Sequence, residues 1–228
     1  MSVDYENNPN QRTPCVLVLD ISYSMREAPG GKVSKIDALN EGIKALETAL
    51  KDDESAISRV QLGIVSVGGA TDSAELMMDW TDAVNFTAFQ LHAAGSTPLA
   101  EGILQGLELV EKGKALLKQN SIRYTRPWMM VITDGQPTSS SASWQRAIEA
   151  CKDAEASNKV EIFAIAVEGA DIAKLSQISA VRPPVSLDGL KFKELFVWLS
   201  DSLSAASRSR PGQALNLPGL DPWRNVGM

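Results

Sequence analysis

Histidine occurs once in this sequence and cysteine twice, as His92, Cys15 and Cys151. With no CxxC pair and no Cys/His cluster, a zinc site of the thiolate or imidazole kind is not expected. The two cysteines lie far apart in apolar segments, which reads as two buried reduced thiols and suits a cytosolic protein. Long apolar runs are missing as well. The strongest, Cys15 to Leu19 and Ile162 to Val167, fall far short of the roughly 20 residues that span a bilayer, so membrane insertion is not expected. Residues 1–14 are polar, with neither a basic start nor an apolar core, which argues against a secretory signal and for a cytoplasmic location. Basic residues are outnumbered, 22 against 28 acidic ones, and the net charge of −6 disfavours nucleic acid as a partner, because affinity there comes chiefly from Lys and Arg on phosphates.

What is present fits an ordinary globular chain. The 228 residues are 44% hydrophobic and 22% charged, enough to bury a core without disulfides or a structural metal. Short apolar runs alternate with helical periods. Cys15 to Leu19, Val60 to Val67, Glu75 to Trp80, Trp128 to Thr133 and Val160 to Val167 read as strands. Ile36, Leu39, Ile43, Leu46 and Leu50 recur at helical spacing. Further helices are expected from Pro98 to about Leu117, from Trp144 to Ala156, near Ile172 to Ile178, and from Phe192 to Ala206. Gly102 and Gly106 inside the second long helix cost helix stability, so close packing against a neighbour is the expected reason for them.

Strands alternating with helices imply βαβ units, hence an α/β fold: a doubly wound, mostly parallel central sheet with helices on both faces. Residues 1–12 form a polar N-terminal arm, 13–206 the domain, and 207–228 an irregular tail rich in Pro, Gly and Arg with Leu215, Leu217, Leu220 and Trp223 as apolar residues. Those apolar residues could dock on this domain or on another protein.

Doubly wound sheets bind ligands beyond the carboxyl ends of their strands, so polar residues there carry the functional reading. The first strand is followed by Asp20-Ile21-Ser22-Tyr23-Ser24, the strand ending at Thr133 by Asp134-Gly135, and the second long helix is preceded by Gly95-Ser96-Thr97-Pro98. Each segment alone has a plain explanation as a turn or helix cap. Together, Asp20 and Asp134 with the hydroxyls of Ser22, Ser24 and Thr97 make an all-oxygen set on one sheet edge. A hard divalent cation, Mg²⁺ or alternatively Mn²⁺ or Ca²⁺, prefers such a set. Three of the five donors are neutral, so a bound ion stays electrophilic toward one more oxygen, such as an Asp or Glu of a partner protein.

At these residues the sequence resembles the von Willebrand factor A domains, whose metal-ion-dependent adhesion site has the D-x-S-x-S pattern with a Thr and an Asp elsewhere in the chain. The resemblance extends over about Thr13 to Ala206. It implies that Ser22, Ser24 and Thr97 touch the metal through their hydroxyls, and Asp20 and Asp134 directly or through water. A narrower resemblance is to the bacterial TerY/YegL-type members associated with tellurite resistance. It is carried by Asn8-Pro9 and Pro14-Cys15-Val16-Leu17, by Thr133-Asp134-Gly135-Gln136-Pro137-Thr138, by Phe192-Lys193-Glu194-Leu195-Phe196 with Trp198-Leu199, and by Ser209-Arg210-Pro211-Gly212. It implies a cytoplasmic stress-response protein of a kind often encoded near a Ser/Thr kinase and a PP2C-type phosphatase, either of which is a candidate partner. Position 23 departs from the pattern, with Tyr where the family usually has Gly. If that glycine requires an unusual backbone, Tyr23 adds strain; if not, its ring adds an aromatic surface beside the metal.

Enzymatic readings find little support. A phosphatase of the haloacid dehalogenase type also places an Asp after its first strand, but needs a second Asp two residues on, where Ser22 stands. Gly31-Lys32-Val33 is no phosphate-binding loop, and there is no G-x-S-x-G elbow. The expectation is therefore a non-enzymatic binding module, with a Mg²⁺-dependent hydrolase or a metal-free scaffold as the alternatives. The Thr138 to Ser143 stretch reads as a flexible polar loop or a phosphoacceptor, His92 as a structural or solvated residue, and Met77-Met78 and Met129-Met130 as core filling.

Overall fold

The computed structural model describes residues 3–4, 6–209, 219 and 223–224. The tail residues Arg210, Pro211, Gly212, Leu215, Leu217, Pro218, Leu220, Asp221 and Pro222 lie outside the described residues.

In chain order the strands are β1 (Thr13–Ile21), β2 (Val60–Gly68), β3 (Ser73–Asp82), β4 (Trp128–Thr133), β5 (Glu161–Ala166) and β6 (Val185–Ser186). The helices are α1 (Lys35–Asp52), α2 (Glu54–Arg59), α3 (Leu99–Gln119), α4 (Ser141–Ala156), α5 (Ile172–Leu175) and α6 (Phe192–Arg208), with short 3-10 turns at Tyr23–Arg26 and Ala83–Asn85. Among the described residues the strands form one sheet in the order β3-β2-β1-β4-β5-β6. All neighbours are parallel except β2 and β3, an antiparallel pair at the edge. The doubly wound, mostly parallel α/β fold expected from the pattern is the fold observed.

Every residue of β1 and β2 is buried, because helices cover both faces of the sheet. The period of two divides β1 between two cores. Cys15, Leu17 and Leu19 face α1 and α6, whereas Val16 and Val18 face α3 and α4. The α3 glycines are contact points: a Cβ on Gly102 would lie 2.3 Å from Val67 Cγ2, and one on Gly106 3.0 Å from Val18 Cγ2. Close packing is therefore the reason for both. Cys15 and Cys151 are buried and free, and burial pushes the Cys151 thiol up to about 12.

Several details differ from the sequence reading. β1 runs through Asp20 and Ile21, because the carboxylate at its end finds donors inside the fold and need not turn outward. The six-residue α2 and the two-residue β6 are too short to show a period. Met77 is 39% exposed on edge strand β3, so it does not fill the core, while Met129 and Met130 do. The Thr138 to Ser143 stretch is loop only as far as Ser140, which caps α4 by accepting from Ser143 N at 3.1 Å, and Ser141 starts the helix. His92 is exposed.

Both chain ends that are described pack on this domain. Arg12 is fully buried at the amino edge of the sheet, 3.7 Å from Asp82, and donates to the carbonyls of Asp4 and Asn10. Trp223 is buried with its ring 5.2 Å from that of Trp198, and its carbonyl accepts from Asp188 N at 2.8 Å. Among the described residues no helix is long and apolar enough to cross a membrane.

Candidate metal centre

The carboxyl ends of β1 and β4 and the segment before α3 meet at one point. β1 and β4 are adjacent and in register through Leu19 and Ile132, which sets Asp20 beside Thr133 at the next step. Asp20 is fully buried. Its Oδ1 accepts from Ser22 N at 2.8 Å, and its Oδ2 accepts from the Thr133 hydroxyl. Burial is the main influence on this carboxyl and pushes it up to about 6, against the hydrogen bonds from Ser22 and Thr133.

Backbone contacts bring Thr97 to this edge. Ala94 N donates to Ile21 O and Tyr23 N to Gly95 O, each at 2.9 Å. Thr97 N donates to Thr138 Oγ1 at 3.1 Å, and Thr138 N returns a bond to Thr97 O at 2.9 Å. Gly68 makes the meeting possible. It has φ +97°, and a Cβ there would strike Ser96 O at 2.7 Å and Ser22 Cα at 2.9 Å.

The side chains then interlock. Ser24 Oγ donates to Asp134 Oδ1 at 2.7 Å, and Ser22 Oγ lies 3.0 Å from Ser24 Oγ. A hydroxyl has one proton, so with Ser24 committed to Asp134 it is Ser22 that donates to Ser24. Each oxygen of Ser24 and Asp20 keeps acceptor capacity beyond these bonds, and one side of the cluster is open to the backbone of residue 135. Gly135 marks that side: a Cβ built on it would lie 3.0 Å from Thr97 Oγ1 and 3.6 Å from both Asp20 Oδ2 and Ser24 Oγ. Three oxygens from two chain segments, the end of β1 with the loop after it and the segment before α3, thus face one small space that a side chain at residue 135 would enter. All five residues expected at the site, Asp20, Ser22, Ser24, Thr97 and Asp134, are brought together.

The donor set fits a hard divalent cation, being oxygen throughout, with the Ser24 proton turned away toward Asp134. Among the described residues there is no group of three or more His, Cys, Asp or Glu side chains placed to hold a metal, so an ion here would draw on hydroxyls beside the two carboxylates.

Tyr23 does not strain the loop. Residues 23–26 form a 3-10 turn, and Tyr23 is not among the residues with positive φ. Its ring is 65% exposed, with the Arg26 guanidinium 5.1 Å from the ring centroid, so it adds aromatic surface beside the site.

Two residues that the sequence reading missed complete the centre. Thr133 is the buried donor that fixes Asp20, and its signal was a polar residue at the end of an otherwise apolar strand. Lys35 is 2% exposed at the start of α1, and its Nζ donates to Asp134 Oδ2 at 2.7 Å and to Glu27 Oε2 at 2.8 Å. Burial works against its charge, but the bonds to Asp134 and Glu27 outweigh that and hold Lys35 above the usual lysine value.

The family model for the von Willebrand factor type A domain matches residues 15–186. No curated protein matches the chain by sequence. Among solved structures, the pilus adhesin SpaC from Lactobacillus rhamnosus GG is similar at 17% identity and TM-score 0.63, over 86% of this chain and 31% of that one. The PilB minor pilin from Streptococcus sanguinis is similar at 12% identity and TM-score 0.60, over 86% and 62%. Proximal thread matrix protein 1 from the mussel byssus, described with a zinc-occupied MIDAS motif, is similar at 14% identity and TM-score 0.53, over 86% and 48%. At these identities the likeness is one of fold. This chain spans less than two thirds of the length of each of these structures.

Proposed function

Because this chain belongs to the von Willebrand factor type A domain family, we propose that it is a metal-dependent protein-interaction module and not an enzyme. Asp20, Ser22, Ser24, Thr97 and Asp134 would hold one divalent cation, Mg²⁺ in the first instance and Mn²⁺ or Ca²⁺ as alternatives. The observation that carries this reading is the convergence of Thr97 Oγ1, Asp20 Oδ2 and Ser24 Oγ around Gly135. The zinc-occupied motif described for the mussel byssus protein supports the same chemistry on this fold.

When bound, the ion supplies a Lewis-acidic position for one further anionic oxygen. The chain's own residues prepare that position. Thr133 and Ser22 N fix Asp20, Ser24 is locked onto Asp134, and the neutral hydroxyls leave a divalent charge incompletely matched. A carboxylate from an Asp or Glu of a partner protein fits that remaining demand, with Tyr23 and Arg26 as the surface it meets first.

The motifs shared with the TerY/YegL group support a finer reading, in which the protein is cytoplasmic, serves a bacterial tellurite-resistance or related stress response, and has a Ser/Thr kinase or a PP2C-type phosphatase as its partner. The test is binding of the wild type and Asp20→Ala to such a kinase and phosphatase, in Mg²⁺ and in EDTA. Binding present only for the wild type in Mg²⁺ is the expected result. Binding that survives both EDTA and the substitution would contradict the reading.

A further inference from the structure

The cation already on Asp134 is unusual in its placement. Lys35 stands in the first turn of α1, where a positive charge opposes the helix dipole, and it is almost fully buried, where an ammonium is costly to desolvate. Such a residue persists only with strong partners. Its partners are Asp134 at 2.7 Å, which is a residue of the metal centre, and Glu27 at 2.8 Å, whose side chain is 67% exposed at the rim. The loop after β5 closes over the pair. Gly169 has φ +102°, and a Cβ there would lie 2.8 Å from Asp134 O and 3.8 Å from Lys35 Nζ.

We propose that Lys35 is an internal counter-cation that sets how tightly the centre holds its metal: it keeps Asp134 in place without the ion, and it weakens the ion's binding when it arrives. This inference rests on the metal-binding reading above. Without Lys35, Asp20 and Asp134 would present two uncompensated charges to a divalent cation. With it, half of that attraction is spent on the ammonium, and the deficit is made up by an anionic oxygen from outside. Metal affinity in the free protein is thereby kept low, and metal and partner carboxylate bind with positive coupling. Glu27 tempers the effect by taking up part of the lysine's charge from the solvent side.

Opposite substitutions should move metal affinity in opposite directions, which a merely structural role would not do. In calorimetric titrations of Mg²⁺ and Mn²⁺ into metal-stripped protein, Lys35→Met should bind about tenfold or more tightly than the wild type, since a neighbouring unit charge acts strongly at a few ångströms. Glu27→Gln should bind more weakly, by a factor of about two to five because Glu27 is largely exposed. Lys35→Arg keeps the charge and should stay near the wild type. Melting without metal should show Lys35→Met destabilised, with a larger rise on adding Mg²⁺ than the wild type shows. If Lys35→Met fails to fold, the weakening in Glu27→Gln carries the test. Equal or weaker binding in a folded Lys35→Met, or unchanged binding in Glu27→Gln, would overturn the inference. Metal binding by Lys35→Met but not by the wild type would uphold the role of Lys35 and overturn the reading that the native centre loads on its own. Wild-type binding that Asp20→Ala leaves intact would overturn the metal-centre reading itself.

Discussion

The hydroxyl of Ser24 donates to Asp134 at 2.7 Å, joining the loop after β1 to the end of β4 across 110 residues of sequence. That bond closes the centre, because it fixes both the hydroxyl that faces Gly135 and the carboxylate that carries Lys35. Neither residue is held by its own loop alone. The site is a product of the β1–β4 pairing in the sheet, and its loss should be read first in metal affinity.

Gly135 offers the most selective way to fill the cradle. Its backbone is not in the left-handed region, so alanine is conformationally allowed there, yet the added Cβ would press on Thr97 Oγ1 at 3.0 Å. Gly135→Ala should lower Mg²⁺ affinity by about tenfold or more, while metal-free stability changes by no more than about 1 kcal/mol. Calorimetry paired with urea unfolding separates the two effects.

Tyr23 should be neutral for the metal. It occupies a 3-10 turn that its side chain does not strain, so Tyr23→Gly relieves nothing and adds backbone freedom. The variant should lose up to about 1 kcal/mol of stability and keep the wild-type metal affinity. A gain in stability on thermal melting would contradict this.

Packing of α3 on the sheet makes a prediction far from the site's chemistry. Gly102→Ala places a Cβ 2.3 Å from Val67 Cγ2 and 3.2 Å from Val18 Cγ1. Overpacking of this kind costs about 1–3 kcal/mol, more than the roughly 1 kcal/mol that alanine returns as a better helix former. Chemical denaturation should show a net loss. Thr97, two residues before the helix's first turn, should weaken with it in metal binding.

Asp53 governs acid stability at the opposite end of α1. Its Oδ1 caps α2 by accepting from Ser55 N and Ala56 N, each at 2.8 Å, and its Oδ2 accepts from Ser204 of α6 at 2.8 Å. Partial burial acts to raise its pKa, but the bonds from Ala56, Ser204 and Ser55 and the charge of Arg208 hold it below the ordinary Asp value. A carboxylate with a lowered folded-state pKa stabilises the fold fully above its unfolded value, about 3.9, and that contribution is lost as pH falls through the lower folded value. Asp53→Ala should cost about 1–2 kcal/mol at neutral pH. Asp53→Asn keeps a capping oxygen, so it should cost less and flatten the loss of stability below about pH 4. Urea unfolding at a series of pH values reads both.

Much of this was legible in the sequence because the strands are apolar on both faces and the helices are long enough to show their period. The convergence of the five oxygen-bearing residues was legible because each sits at a strand end or helix start, where a doubly wound sheet gathers its ligands. Lys35 and Glu27 were not, since nothing in a Lys at a helix start says which carboxylate it will reach across the fold. Thr133 was hidden within its own strand, its role set by the neighbouring strand's register. α2 and β6 were too short to carry a period, and Met77 was misplaced because an edge strand leaves open to solvent what a central strand would bury.

The central claim is that Asp20, Ser22, Ser24, Thr97 and Asp134 form one divalent-cation site. Calorimetric titration of Mg²⁺ and Mn²⁺ into the metal-stripped protein, with Asp20→Ala and Thr97→Ala alongside, tests it most directly. Saturable binding at one site in the wild type, lost in both variants while their folds persist by circular dichroism, is the predicted result. Binding of neither ion by the wild type or by Lys35→Met, or binding that both variants retain, would contradict it.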